Sequence, residues 1–357
     1  MNWLKKHRTK VLLCGIFLLL TAVCLLVYGK MKTTLRESDV TDRWAGDSET
    51  RFGYFSVFYP ETGKGDESLV YGFESTLEKR LTEASLESSP NGSLWKDAYC
   101  GTAMATVSTD RGSATVKALG VGGDFFFFHP LLLRSGNYLS PRDLMHDRVV
   151  LDKELAWTLF GATDVAGMEL SVNGKPFLVA GVVERETDFA SKAAAEENAG
   201  LYLFYDALGS PGIVSYEVVL PDPVTNFAKN LVTESFPEKT VVDVKNRYSV
   251  GSLFSVLTSF GKRSMRTDNI IFPTWENAAR LTEDYAALSL LLALLFFLTP
   301  LGFGIVLAVQ KGRKGFMKGV AFAKEKSRLL YEKANDRLYE REQRRKALPP
   351  SEEDQNE

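Results

Sequence analysis

Two uninterrupted apolar runs, Val11 to Tyr28 and Tyr285 to Ala308, stand near opposite ends of the chain, and everything between them is mixed and charged. Each run is long enough to cross a hydrocarbon core of about 30 Å as a helix rising about 1.5 Å per residue, and neither carries a charge into it. The pattern predicts transmembrane helices over 11–28 and 285–310, with an outside domain over 30–284.

Shorter periods organise that domain. Gly53 to Tyr59 reads as a strand, and Glu67 to Ala84 as a helix whose apolar face is Leu69, Phe73, Leu77 and Leu81. Ala98–Ser108 and Ala114–Val121 alternate as strands around Asp110-Arg111-Gly112, a hairpin signal. A second unit starts at Ser215. Tyr216 to Leu220 reads as a strand stopped by Pro221-Asp222-Pro223, with Asp222 as the N-cap and Pro223 as the first residue of a helix. That helix carries Phe227, Ala228, Leu231 and Phe236 before Thr240 to Val244 resumes strand character.

Between the units, 122–212 is expected to be mainly β with one short helix. Val149–Leu151 is a strand, Lys153–Phe160 a helix closed by Gly161, and Met168–Val172 pairs with Pro176–Val183 through the tight turn Asn173-Gly174. Lys192 to Gly200 reads as a loop and Leu201 to Tyr205 as a further strand. Two βα units flanking an insertion make the domain α+β.

Charge orients the spans, because short cytoplasmic segments are rich in Lys and Arg. Lys311, Arg313, Lys314 and Lys318 follow the second span, whereas Arg280, Glu283 and Asp284 precede it. Lys5, Lys6, Arg8 and Lys10 before the first span are nearly matched by Lys30, Lys32 and Arg36 after it. Both termini are therefore expected inside, in the cell membrane, with 1–10 and 311–357 cytoplasmic. A cleaved signal peptide fits poorly, since the first run is long and Tyr28-Gly29-Lys30 offers no small-x-small cleavage site. A lipid anchor at Cys24 fits worse, with Val23 before it.

Cys14 and Cys24 lie in the first run, which leaves Cys100 alone outside and no disulfide within the domain. Cys100 reads as a small core residue. The formal net charge of −2 gives no footprint for nucleic acid.

The order of Leu119-Gly120-Val121, Gly136, Val149-Val150-Leu151-Asp152-Lys153-Glu154-Leu155-Ala156, Leu159-Phe160-Gly161, Gly167 and Phe177 to Val183 resembles the extracytoplasmic core domain of MacB-type, FtsX-like ABC transporter permeases. The resemblance is close over 118–183 and looser over the whole outside domain. It implies a βα-rich porter layer (40–121 and 213–250), a β-rich sabre insertion (122–212) and a stalk (251–284). It implies transport and mechanotransmission as the context. Family permeases carry three spans after this domain, and here one follows, so the resemblance implies a separate ABC ATPase and additional membrane permease subunits as partners.

The residues themselves suggest no enzyme. No G-x-x-x-x-G-K-[ST] phosphate cradle is present, and His7, His129 and His146 are scattered too widely for a zinc site, so neither cofactor nor metal is expected. His129 reads as a strand-end residue and Phe125 to Phe128 chiefly as core. Glu184, Glu186 and Asp188 read as a solvated loop, and Asn91-Gly92-Ser93 equally as a glycosylation acceptor or a turn.

A helix beginning after Pro273, with Thr274 as N-cap, and running to Gln310 would span about 36 residues, or roughly 54 Å, which exceeds the bilayer. It is either a rigid coupling rod or a plain anchor, and Pro300, Gly302 and Gly304 are places where it would break. In the tail, Phe316, Val320, Ala323, Leu330, Ala334 and Leu338 follow one helical face. A partner helix and a solvated helix near anionic lipid both suit that stripe. Lys311, Arg313, Lys314, Phe316, Met317 and Val320 are the candidates for partner coupling. The expectation is a permease-like subunit that couples ATPase motion to an outside domain binding a substrate or protein; a membrane-anchored scaffold is the alternative.

Overall fold

The sequence periods become a chain of short strands and helices between two long ones. The structure, a computed structural model, describes residues 8–35, 39–48, 50–86, 93–195, 199–260, 263, 266–267 and 270–346. Lys5, Lys6, His7, Arg36 and the Asn91-Gly92 pair lie outside them, as do 196–198 and 347–357.

In chain order the elements are α1 (Arg8–Lys32), α2 (Val40–Ala45), β1 (Phe52–Phe58), α3 (Glu67–Glu83), β2 (Lys96–Thr109), β3 (Gly112–Gly123), α4 (Phe125–Phe128) and β4 (Leu132–Gly136). There follow β5 (Arg148–Asp152), α5 (Lys153–Phe160), β6 (Glu169–Val172), β7 (Lys175–Glu184), α6 (Phe189–Ala194), β8 (Ala199–Phe204) and β9 (Ser215–Pro221). The chain continues with α7 (Phe227–Ser235), β10 (Thr240–Asp243), α8 (Val250–Val256), β11 (Arg266–Thr267), β12 (Ile270–Ile271) and α9 (Thr274–Lys346).

Local chemistry sets the boundaries. Asp66 caps α3 by accepting from Leu69 N at 3.1 Å, and Asp152 caps α5 by accepting from Leu155 N at 2.7 Å. The β6–β7 turn places Asn173 at φ 48° and Gly174 at φ 80°, the positive pair that a type I′ hairpin needs. Three expectations shift. The buried face of α3 runs through Val70, Phe73, Leu77 and Leu81, and Leu69 is exposed, because the face drifts from a strict four-residue row. Helix α7 starts at Phe227 and not after Asp222, although Asp222 Oδ1 still accepts from Ala228 N at 3.1 Å. Among the described residues the insertion holds three short helices, not one. Asp188 supplies the signal for α6 by accepting from Ala190 N and Ser191 N at 2.9 and 3.0 Å.

Ten of the described strands form one sheet in the order β10-β1-β9-β2-β3-β8-β5-β7-β4, with β6 pairing both β2 and β7, and β11 and β12 pair with each other separately. At one end, β10-β1-β9-β2 is antiparallel with α3 and α7 as crossovers, a split βαβ arrangement. Both helices pack on one face, where Phe55, Val57, Phe73, Leu77, Tyr216, Val218 and Leu231 are buried together. At the other end β2, β3, β8, β5, β7 and β6 close on themselves, because Val107 and Ser108 of β2 pair with Val172 and Ser171 of β6. Val107, Val149, Leu151, Leu159 and Leu203 fill this ring with no exposed surface, and α5 plugs it. Each such side chain contributes about 1.5–3 kcal/mol by leaving water. The long β2–β3 hairpin belongs to both ends.

The described chain divides into two compact units, Val23–Leu292 and the pair of segments Met1–Ala22 and Ala293–Glu357. In the second, α1 and α9 approach through Phe17 and Phe296, whose rings are 5.9 Å apart. Both helices are long and apolar enough to cross a membrane. Helix α9 runs unbroken through Pro300 from Thr274 to Lys346, and its first carbonyl acceptor is Pro273 O, to Asn277 N at 3.0 Å, one residue before the expected cap.

Candidate functional site

A cleft of about 670 Å³ opens beside the inner ends of β3, β5 and β8 and reaches the residues that start α9. Its apolar floor includes Phe125, Tyr202, Phe272 and Trp275, and its rim carries Lys117, Arg185 and Lys192 beside Glu154 and Glu186. Much of that charge is already spoken for. Arg185 Nε donates to Asp152 Oδ2 at 2.7 Å, and Glu184 accepts from Arg134 and, at 3.2 Å, from Lys153 Nζ. Two donors on the wall, Tyr59 Oη and Trp275 Nε1, are buried without a hydrogen-bond partner among the described residues. Aromatic surface with spare donors suits an apolar group flanked by carbonyl or other acceptor atoms.

The Phe run forms α4, and His129 follows this helix and is not a strand end. Phe125, Phe126 and Phe128 are buried, and their packing draws His129 inward. His129 is 7 % exposed, with Nε2 2.5 Å from Glu217 Oε2 and its ring 4.4 Å from that of Trp275. Glu217 also accepts from Tyr54 Oη at 2.7 Å and Ser56 Oγ at 3.1 Å. Burial works against the Glu217 charge, but His129 and the two hydroxyls outweigh it and hold the carboxyl below its ordinary range. The cleft wall is thus tied from β9 through His129 to the first turn of α9.

Below that turn lies a buried ion cluster. Arg247, just after β10, donates to Glu276 at 3.2 Å and to Glu283 at 2.5 Å. Arg280 Nε donates to Glu276 at 2.6 Å, its guanidinium stands 3.6 Å over the Phe272 ring, and its Nη1 donates to Arg263 O at 2.6 Å. Arg263 pairs with Glu283 and, at 3.3 Å, with Asp284. Burial disfavours the Arg247 charge, and the two glutamates more than offset it. The sequence signal was present, since Glu276, Arg280, Glu283 and Asp284 fall at i, i+4, i+7 and i+8, one face of a helix. Read as flanking charges, they concealed a core.

Asp97 on β2 is a separate electrostatic feature. It accepts from Tyr216 Oη at 3.0 Å, and its pKa is pushed up to about 8, first by burial and then by the neighbouring Glu74 charge. An unfolded Asp titrates near about 3.9, so the folded state binds this proton more tightly. The stabilisation is full below that pH and is lost as pH rises through 8. Asp97→Asn is therefore expected to raise the melting temperature relative to the parent at pH 9 and leave it nearly unchanged near pH 4, as read by thermal unfolding across pH.

The family model of the MacB-like periplasmic core domain matches residues 55–247, more than half of the chain. The chain belongs to that family. No curated protein matches it. Among solved structures it is similar to the periplasmic region of MacB from Actinobacillus actinomycetemcomitans, 17% identical over 54% of this chain and 90% of that one, with a TM-score of 0.37. It is also similar to the extracellular domain of the ABC-type transporter YknZ from Gram-positive bacteria, 13% identical over 54% of this chain and 100% of that one, with a TM-score of 0.36.

In this MacB-like domain the matched segment takes in both ends of the sheet, His129, Glu217 and Arg247. The six residues singled out for partner coupling, Lys311, Arg313, Lys314, Phe316, Met317 and Val320, all lie on α9 and are exposed. None of them belongs to the unit that holds the cleft. Cys100 is buried beside Ala98 and Val121, and burial pushes its thiol up, which keeps it protonated.

Proposed function

We propose that this chain is a permease-like membrane subunit of an ABC transport complex, non-enzymatic itself, which couples the work of a separate ATPase to binding at the outside cleft. The ion cluster at the base of α9 carries this reading. It locks Arg247 and Arg263 of the domain to Glu276, Glu283 and Asp284 on the helix that continues as the second apolar run, while Trp275 and Phe272 at the same end form the cleft floor. A displacement of the helix along its axis would reach the cleft within one turn. Cations after the second run and buried, neutralised charges before it support termini on the cytoplasmic side. An extracytoplasmic protein or apolar substrate would occupy the cleft, and further membrane subunits would contact α9 through Lys311 to Val320.

Gentle purification of the full chain from its own membranes tests this. The reading expects a stoichiometric ATPase to copurify, and expects Phe316→Ala with Val320→Ala to lose it while the melting temperature holds, since both side chains are exposed. Repeated recovery of the chain without any ATPase would sink the transport reading in favour of an anchored scaffold.

A further inference from the structure

The segment from Tyr248 to Phe260 contains no charged residue. It folds as α8 with a 3-10 extension, Leu257–Ser259. Leu253 and Val256 are buried with Tyr248, Ala286 and Ala287, and Tyr28, Met31 and Leu290 pack around them. Ala286, Ala287 and Leu290 lie inside the second apolar run, and Tyr28 closes the first. Tyr28 Oη donates to Tyr248 O at 2.8 Å. These contacts fix α8 at the level where both runs meet the domain.

Its other face points away from the protein. Val250 and Phe254, one helical turn apart, are 66 % and 70 % exposed, and Phe260 is 44 % exposed. The serine and threonine hydroxyls of the segment turn back on it. Ser255 donates to Ser252 O at 2.7 Å, Thr258 to Ser255 O at 2.8 Å and Ser259 to Val256 O at 3.3 Å. Ser249 Oγ donates to Ser252 Oγ at 2.8 Å and accepts from Ser252 N at 3.3 Å. Each of these five hydroxyls joins a bond within the segment. That arrangement is what a helix needs where water is scarce, because an unpaired polar group in lipid costs several kcal/mol.

We propose that α8 and its extension lie in the membrane–water boundary on the domain side, with Val250, Phe254 and Phe260 inserted among lipid acyl chains. The residues that hold α8, among them Tyr28, Ala287 and Leu290, are the ends of the two apolar runs, which makes the bilayer the occupant. Tyr28 and Tyr285, at the domain-side ends of the two apolar runs, match the interfacial preference of tyrosine. A helix of this kind buries its apolar face about 5–10 Å into the boundary. It would hold the Arg247 junction, which α8 follows directly, against the membrane. The proposal rests on reading α1 and α9 as spans.

The test uses the full chain in phosphatidylethanolamine–phosphatidylglycerol vesicles, with Cys14→Ala and Cys24→Ala and single nitroxides at Phe254→Cys, Leu19→Cys or Val224→Cys. All three positions are exposed, and Cys100 is buried. Collision with oxygen, which concentrates in lipid, is compared with collision with a water-soluble nickel chelate. The expected oxygen-to-nickel ratio at Phe254 approaches that at Leu19 and exceeds that at Val224 several-fold. A ratio at Phe254 equal to that at Val224 overturns the proposal by placing α8 in water. Low collision with both reagents overturns it by showing that protein covers α8. Nickel-dominated collision at Leu19 overturns the span reading and the proposal together.

Discussion

Replacement of Arg247 by Met is expected to destabilise the full chain in detergent by about 3–5 kcal/mol, because the loss of one partner strands buried opposite charge. For a domain of this size that corresponds to a fall in melting temperature of roughly 6–20 °C. Arg247 faces both Glu276 and Glu283, each almost fully buried, and Arg280 and Arg263 supply the remaining cations. Without Arg247 the face carries more carboxylates than guanidinium groups. Adding Glu283→Gln to Arg247→Met leaves the Arg280–Glu276 and Arg263–Asp284 pairs in balance and should recover a large part of the loss. By contrast Arg328→Ala, which removes a fully exposed i,i+4 partner of Glu332 at 3.0 Å, should be close to silent. Thermal unfolding of the four proteins side by side checks the order.

Gly136→Ala is expected to be the most damaging single methyl addition in the domain, at about 3 kcal/mol or more. Gly136 ends β4 at φ 70°, where an L side chain is strained, and a Cβ there would stand 2.1 Å from Ala180 O and 2.8 Å from the Gly181 Cα. Both neighbours are backbone of β7, paired to β4, and cannot step aside. Gly174→Ala isolates the strain alone. Its φ is 80°, but nothing lies within 4 Å of the added methyl, so a loss of only about 1 kcal/mol is expected. Equal losses at the two sites in an unfolding titration would show that crowding against β7 plays no part.

Particular residues show why some of this architecture was legible in the sequence and some was not. The β2–β3 hairpin around Asp110-Arg111-Gly112, the Pro221 stop of β9 and the Asn173-Gly174 turn are local signals, legible from neighbouring residues. Asp152 and Gly161 bracket α5 for the same reason. Phe125 to Phe128 defeated the period, since four identical aromatics have no polar side, and the helix and inward turn of His129 followed from packing. The His129–Glu217 pair spans 88 residues and left no trace in either neighbourhood. The closure of the ring by β6 on β2 was hidden too, because β6 pairs β7 through a local turn but meets β2 only through distant parts of the chain. At the cleft, Phe125 and His129 stand out in the sequence by residue type, whereas nothing around Trp275 or Tyr59 marks them as cleft residues. The charged face of α9 was visible as spacing, but its proximity to an apolar run invited a topological reading that obscured its packing.

On the proposed reading, the base of α9 and the folded domain move as one body through the Arg247 cluster. The most direct measurement is the distance distribution between spin labels at Val224 and Tyr285, both exposed, in the full chain in lipid vesicles. The account predicts one narrow distribution for the parent and a broad one once Arg247→Met is introduced. A parent distribution as broad as the variant's would contradict it.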